Sequence, residues 1–108
     1  LGELTPLTGE ERFRPGRLAV STQGKDRGSW YVLVGVDPKR GRFLLVDGKR
    51  CGGNPPKGKN PRHVRLAREF LPEVAECVAA GKPIESGWLA GLLNRMVSRQ
   101  RARNEEVD

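Results

Sequence analysis

The stretch from Gly53 to Lys59 reads G-x-x-x-x-G-K, close to the pattern of a glycine-rich loop that cradles nucleotide phosphates. Such a loop works because backbone N–H groups point at the phosphates and a Ser or Thr after the lysine holds Mg²⁺. Here Pro55 and Pro56 remove two donors, Asn60 stands where the hydroxyl belongs, and Pro61 follows it. The loop should also join a buried parallel strand to a helix, yet its neighbours read as short basic strands. No nucleotide cofactor is expected. What remains is the chemistry of Lys57 and Lys59, cations on a Gly/Pro-rich loop suited to the phosphates of a polymer backbone.

Other chemistries find less support. Cys51, His63 and Cys77 contain no C-x-x-C or H-x-x-H pair, and a structural zinc site wants four ligands, so no metal is expected. With one histidine and no credible nucleophile–base pair, the chain does not read as an enzyme. Two thiols do not make a disulfide framework. No apolar run is long enough for a membrane, which makes a soluble cytoplasmic protein the expectation.

Charge is the stronger signal. The 108 residues carry a net charge of +7, and the excess is uneven. Between Arg12 and Arg68 stand fifteen basic residues and three acidic ones, Asp26, Asp37 and Asp47. The acidic residues gather at the N-terminal end, around Glu69 to Glu85, and in the tail. A basic block on a small domain suits a polyanionic partner, because each neutralised phosphate releases counterions.

The elements that position these cations can be read from periodicity. Residues 1–13 form a loose lead-in. "RLAVST" from Arg17 alternates like a half-buried strand, and "GKDRG" is a turn with a glycine at each end able to take positive φ. "SWYVLVGVD" is the clearest strand, with Trp30, Val32, Val34 and Val36 on one face and Tyr31, Leu33 and Gly35 on the other. Trp30 is expected inside and Tyr31 at the surface. "PKRG" turns the chain into a third strand, "RFLLVD", and Asp47-Gly48 begins another tight reversal. A fourth strand is expected from Lys49, then a loop to Pro61, then a fifth strand in "RHVRL". So few strands hide their edges most economically by closing into a small barrel.

Beyond the barrel the period becomes helical. Phe70, Leu71, Val74, Ala75 and Val78 mark one helix, with Pro72 in its first turn and Gly81 as its stop. Ser86 can cap a second helix with a stripe of Trp88, Leu89, Leu92, Leu93, Met96 and Val97. Arg95, Arg99, Arg101 and Arg103 crowd its far end, where the helix dipole favours positive charge. Residues 105–108 are an acidic tail.

The segment "GRLAVSTQGKDRGSWYVLVGVD" resembles the KOW motif, the glycine-containing strand–turn–strand of ribosomal proteins and transcription elongation factors. Gly16 and Arg17 open its first strand, "GKDRG" is the arc, and Gly28 takes the place of the motif's characteristic glycine. With "FLLVDG", a proline-containing basic loop and "KNPRHV", the chain is similar to a KOW-containing family related to a large-subunit ribosomal protein of archaea and eukaryotes. The resemblance implies a mainly β fold: a small SH3-like (KOW) antiparallel barrel over residues 14–66, then two C-terminal α-helices in residues 67–104. It also implies binding of structured RNA, ribosomal RNA or a ribosomal particle first among them, with ribosomal proteins as further neighbours.

The residues expected to meet RNA are the basic ones on turns and the central loop: Lys25, Arg27 and Gly28 in the first turn, Lys39 and Arg40 in the second. Lys49, Arg50, Lys57 and Lys59 follow in and around the central loop. Arg17 on the first strand and Arg62, His63 and Arg65 near the last complete the set. Contacts of this kind go to phosphates and read shape rather than sequence. The alternative reading is a protein-interaction module that uses the barrel face and the Trp88–Val97 stripe.

Overall fold

The computed structural model describes residues 14–48 and 55–106. The lead-in of residues 1–13, Lys49 and Arg50 lie outside the described residues. Five strands form one antiparallel sheet: β1 (Arg17–Ser21), β2 (Trp30–Asp37), β3 (Arg42–Val46), β4 (Lys57–Lys59) and β5 (Val64–Phe70). A single 3-10 turn, Pro61–His63, links the last two. Two helices follow, α1 (Pro72–Ala80) and α2 (Ser86–Glu106).

In the sheet the order is β4-β3-β2-β1-β5, so the fifth strand returns to pair with the first. Shifts of register, after Arg17 on β1 and between Leu33 and Gly35 on β2, bend the sheet. The bend is strong enough that Val64 and Leu66 of β5 pack on a cluster of Ala19, Tyr31, Leu33, Phe43 and Leu45, which includes residues of the distant β3. That cluster fills the concave face. The opposite face carries Leu18, Val32 and Val46, covered by Leu71 and Val74 at α1 and by Leu89, Leu92 and Leu93 of α2.

With both faces covered, β1 is not half-buried as its alternation suggested. Leu18, Ala19, Val20 and Ser21 are all buried, because the curl hides one face and the helices the other. The aromatic pair of β2 is also reversed from expectation. Tyr31 is only 4% exposed and belongs to the concave core, whereas Trp30 is half-buried at the edge of the helix-covered face. Consecutive strand residues face opposite ways, and the concave interior of the sheet proves to be the Tyr31/Leu33 side.

Several boundaries follow their chemistry. Gly81 ends α1 in the left-handed conformation at φ 67°, its N–H bonded back to the helix, and Pro72 sits in the first turn. Phe70, expected in the helix, is the last residue of β5, so the sheet runs four residues past position 66. Lys57 to Lys59, expected in a loop, are strand β4, paired with Leu45, Leu44 and Phe43. Gly48 does not need positive φ for a reversal. It is small because α2 crosses here, and a Cβ would stand 2.7 Å from that of Ala90.

Gly16 is the most constrained joint. Its φ is +101°, and a Cβ would come within 2.6 Å of the Leu71 carbonyl oxygen. Its N–H donates to the Leu33 carbonyl, and its own carbonyl accepts from Leu71 N–H. It thereby ties β1, β2 and the start of α1 together. Gly16→Ala should cost about 1–3 kcal/mol in urea unfolding, through left-handed strain plus the clash with backbone. Gly28→Ala, at φ +88° with nothing within 4 Å of the new Cβ, should cost only the strain of about 1–2 kcal/mol. Equal losses at both sites would contradict the tight joint.

Candidate nucleic-acid interface

The "GKDRG" arc is built as its glycines demand. Gly24 and Gly28 take φ of +97° and +88°, and the arc is closed by Gly28 N–H to Ser21 O (2.8 Å) and Ser29 N–H to Asp26 O (2.9 Å). This turns Lys25, Arg27 and Gly28 out to solvent. It turns Asp26 inward, over the concave face.

There Asp26 collects four side-chain donors. Lys59 Nζ reaches Oδ1 at 2.6 Å and Lys57 Nζ reaches Oδ2 at 2.9 Å. Ser21 Oγ–H donates to Oδ1 at 2.9 Å, and the Tyr31 hydroxyl to Oδ2 at 2.8 Å. Lys59 Nζ also donates to the Gln23 carbonyl at 2.8 Å. The side chains of Asp26 and Lys59 are only 13% and 10% exposed. Burial pushes the Asp26 carboxyl up, but the hydrogen bonds from Lys59, Lys57, Tyr31 and Ser21 together outweigh it and hold the group well below the usual carboxylate range.

This changes the standing of two expected RNA contacts. Lys59 is buried and its ammonium is satisfied inside the fold. Lys57 shares the same carboxylate and lies 5.9 Å from the centre of the Tyr31 ring, with its side chain 30% exposed. Alternation along β4 accounts for both: Lys57 and Lys59 pair with Leu45 and Phe43, so they point to the concave side, where an apolar residue was to be expected. They hold the first turn in place rather than present charge.

Elsewhere the expected cations do face outward. Lys39 and Arg40 are exposed on the second turn, where the Asp37 side chain accepts from their backbone N–H groups at 3.0 and 3.3 Å. Arg62 is exposed on the 3-10 turn, which is pinned by Arg62 N–H to the Asn60 side chain at 3.0 Å. His63 is half-buried and its carbonyl accepts from Thr22 N–H at 2.8 Å, which sets this turn beside the end of β1. Arg65 is exposed on β5, and half-buried Arg17 donates from Nε to the Ala67 carbonyl at 2.8 Å. Arg14, Arg42 and Arg68 are exposed as well, and the first of these lies 4.7 Å from the centre of the Phe70 ring.

Arg17, Arg62 and Arg65 are among the residues lining one cleft of ≈ 660 Å³ along β5, where it approaches β3. Thr22, Phe43, Pro61, Val64 and Leu66 complete its lining. The sequence singled out the three arginines separately, but nothing in their spacing joined them. Only the curl of the sheet does so. On the second helix the apolar stripe is spent largely in the core: Leu89, Leu92 and Leu93 are buried, and Trp88 is 37% exposed. Among the described residues no group of His, Cys, Asp and Glu could hold a metal, and no helix is long and apolar enough to cross a membrane. No known family model matches the chain, and no curated protein matches it either.

Because Asp26 titrates lower in the fold than in the unfolded chain, its contribution to stability is complete above the unfolded value of about 4 and is lost as pH falls below it. Asp26→Asn should destabilise by about 3–5 kcal/mol at pH 7, since it leaves Lys59 buried without its counter-charge. The gap between the two proteins in urea midpoint should narrow steadily from pH 4 to pH 2. A gap that stays constant across that range would show that the cluster is not held by charge.

Proposed function

We propose that this chain is a non-catalytic RNA-binding domain on an SH3-like barrel of the KOW type, docking on the phosphates of structured RNA. Ribosomal RNA is the first candidate. The carrying observation is how charge is sorted. Both salt bridges among the described residues end on Asp26, whose single negative charge is shared by the buried Lys59 and the neighbouring Lys57. Asp37 is engaged by backbone N–H groups of its own turn. Lys25, Arg27, Lys39, Arg40, Arg62 and Arg65 are left facing solvent, on rigid turns or an edge strand. Unpaired cations at fixed positions are what a phosphate backbone needs, and they carry no base readout of their own.

A return of the fifth strand to the first, across a sheet bent at two register shifts, supports the barrel reading. So does positive φ at Gly28, where the motif has its glycine. The preferred target is folded RNA because phosphate contacts from several turns recognise shape.

Two measurements test this reading. Affinity for a structured RNA, followed by fluorescence anisotropy, should fall about tenfold or more between 50 and 200 mM salt for a handful of contacts. Binding that ignores salt would sink the electrostatic mechanism. Reversing the exposed pair, Lys25→Glu with Arg27→Glu, should weaken binding at least about tenfold while the melting temperature stays within a few degrees of the parent protein.

A further inference from the structure

The second helix runs on after its packing ends. Among the described residues Val97 is the last of α2 to pack on the core, yet the helix continues to Glu106. The nine residues beyond Val97 add about 13 Å of helix, and their sequence, SRQRARNEE, offers no apolar stripe to stabilise it. From Ser86 to Asn104 the helix carries four arginines and no acidic residue. Two of the four stand on its outer face. Asn94, Arg95, Ser98 and Arg99 are all exposed, and their spacing along the helix makes them one contiguous patch of side-chain donors. Glu73 lines a cleft together with Arg95 and Arg99, but neither arginine is in an ion pair among the described residues.

Building on the RNA-binding reading, we infer that this outer face of α2 is a second phosphate-binding surface, which takes the RNA backbone as it leaves the first turn. Charge selects the partner. Arginine, asparagine and serine side chains all donate to phosphate oxygens, and no carboxylate stands in the helix before Glu105 to oppose them. Continuity selects the place. Asn94 and Val97 of α2 line one cleft with Gly28, Ser29 and Trp30, so the helix borders the arc that carries Lys25 and Arg27. Asp47 lines the same cleft, which directs a polyanion over its rim and onto the helix rather than into it. Arg95 and Arg99 lie one turn apart on the helix and meet separate phosphates. Leu89, Leu92 and Leu93 seat the helix in the core, so the backbone beneath the patch is set before binding.

The experiment follows binding of a structured RNA by fluorescence anisotropy across a series of salt concentrations. Arg95→Gln with Arg99→Gln should weaken binding about tenfold and flatten the slope of log affinity against log salt by about 1.4–1.8, the worth of two phosphate contacts. Both positions are exposed, so the melting temperature should stay within a few degrees of the parent protein. Lys82→Glu changes the net charge by the same amount at an exposed position between the helices, and should leave the slope as it is. If Lys82→Glu matched the double variant in affinity and slope, only overall charge would matter and the inference would fall. A double variant with the parent's affinity and slope would remove this surface and leave the RNA reading standing. Failure of the parent protein to bind structured RNA would remove that reading and this surface with it. If the double variant kept its RNA affinity but lost a glutamate-rich peptide that the parent binds, the face would be a protein site and the inference would fall.

Discussion

One carboxylate organises the concave half of this molecule. Asp26 is set at the crest of the first turn and reaches into an interior that already contains two lysines. Without it, Lys59 would be a buried cation with only the Gln23 carbonyl as a partner, and the desolvation cost would work against β4 forming at all. With it, β4 is anchored to the first turn, although the two are joined by no backbone ladder. The Tyr31 and Ser21 hydroxyls complete the shell, so each Asp26 oxygen accepts from one ammonium and one hydroxyl. The arrangement approaches the condition under which a buried ion pair is tolerable: both ammonium groups touch the carboxylate, and its remaining lone pairs are occupied by hydroxyls.

A second constraint follows from the first. A five-stranded sheet of this length cannot bury both faces against itself, so the concave face is closed by curl and the convex face by helices. The two joints that make this possible are places where backbones come too close for any side chain. Gly16 brings β1 against Leu71 at the entry to α1, and Gly48 lets α2 cross the end of β3 next to Ala90. Packing on the helix side and the position of the cleft on the open side are therefore set by the same bend in the sheet.

Much of this was legible in the sequence wherever a local rule decides the outcome. The strand at Trp30–Asp37, the glycine-bounded arc and the stop at Gly81 follow from alternation and turn chemistry, whereas Ser86, expected as a cap, is the first residue of α2 and Leu89 N–H bonds to the Glu85 carbonyl before it. What local rules could not decide was which face of β2 looks inward, because Trp30/Val32 and Tyr31/Leu33 are equally apolar and both faces are covered. The strand at Lys57–Lys59 was illegible for a related reason. Its inward positions carry lysines, which periodicity scores as solvent-facing, and their partner Asp26 lies more than thirty residues away. A lone aspartate inside a basic arc, followed later by two lysines at strand spacing, is the signal that could have found it. The cleft gave no such signal, since its arginines come from β1, the 3-10 turn and β5.

The same electrostatics explains why the interior lysines do not join the outward ones when a polyanion approaches. A unit charge at 4 Å is worth about 4 kcal/mol in the partly screened setting of a protein surface and about 1 kcal/mol through water. Lys59, at 10% exposure with Asp26 at 2.6 Å, therefore has little to gain from an external phosphate and would strand a carboxylate by leaving. The lysines act on a polyanion indirectly, by cancelling the negative charge that would otherwise sit in the middle of the basic turns. Had Asp26 faced solvent, it would have repelled phosphates beside Lys25 and Arg27. Turned inward, it costs the surface none of its field and gives the turn its rigidity.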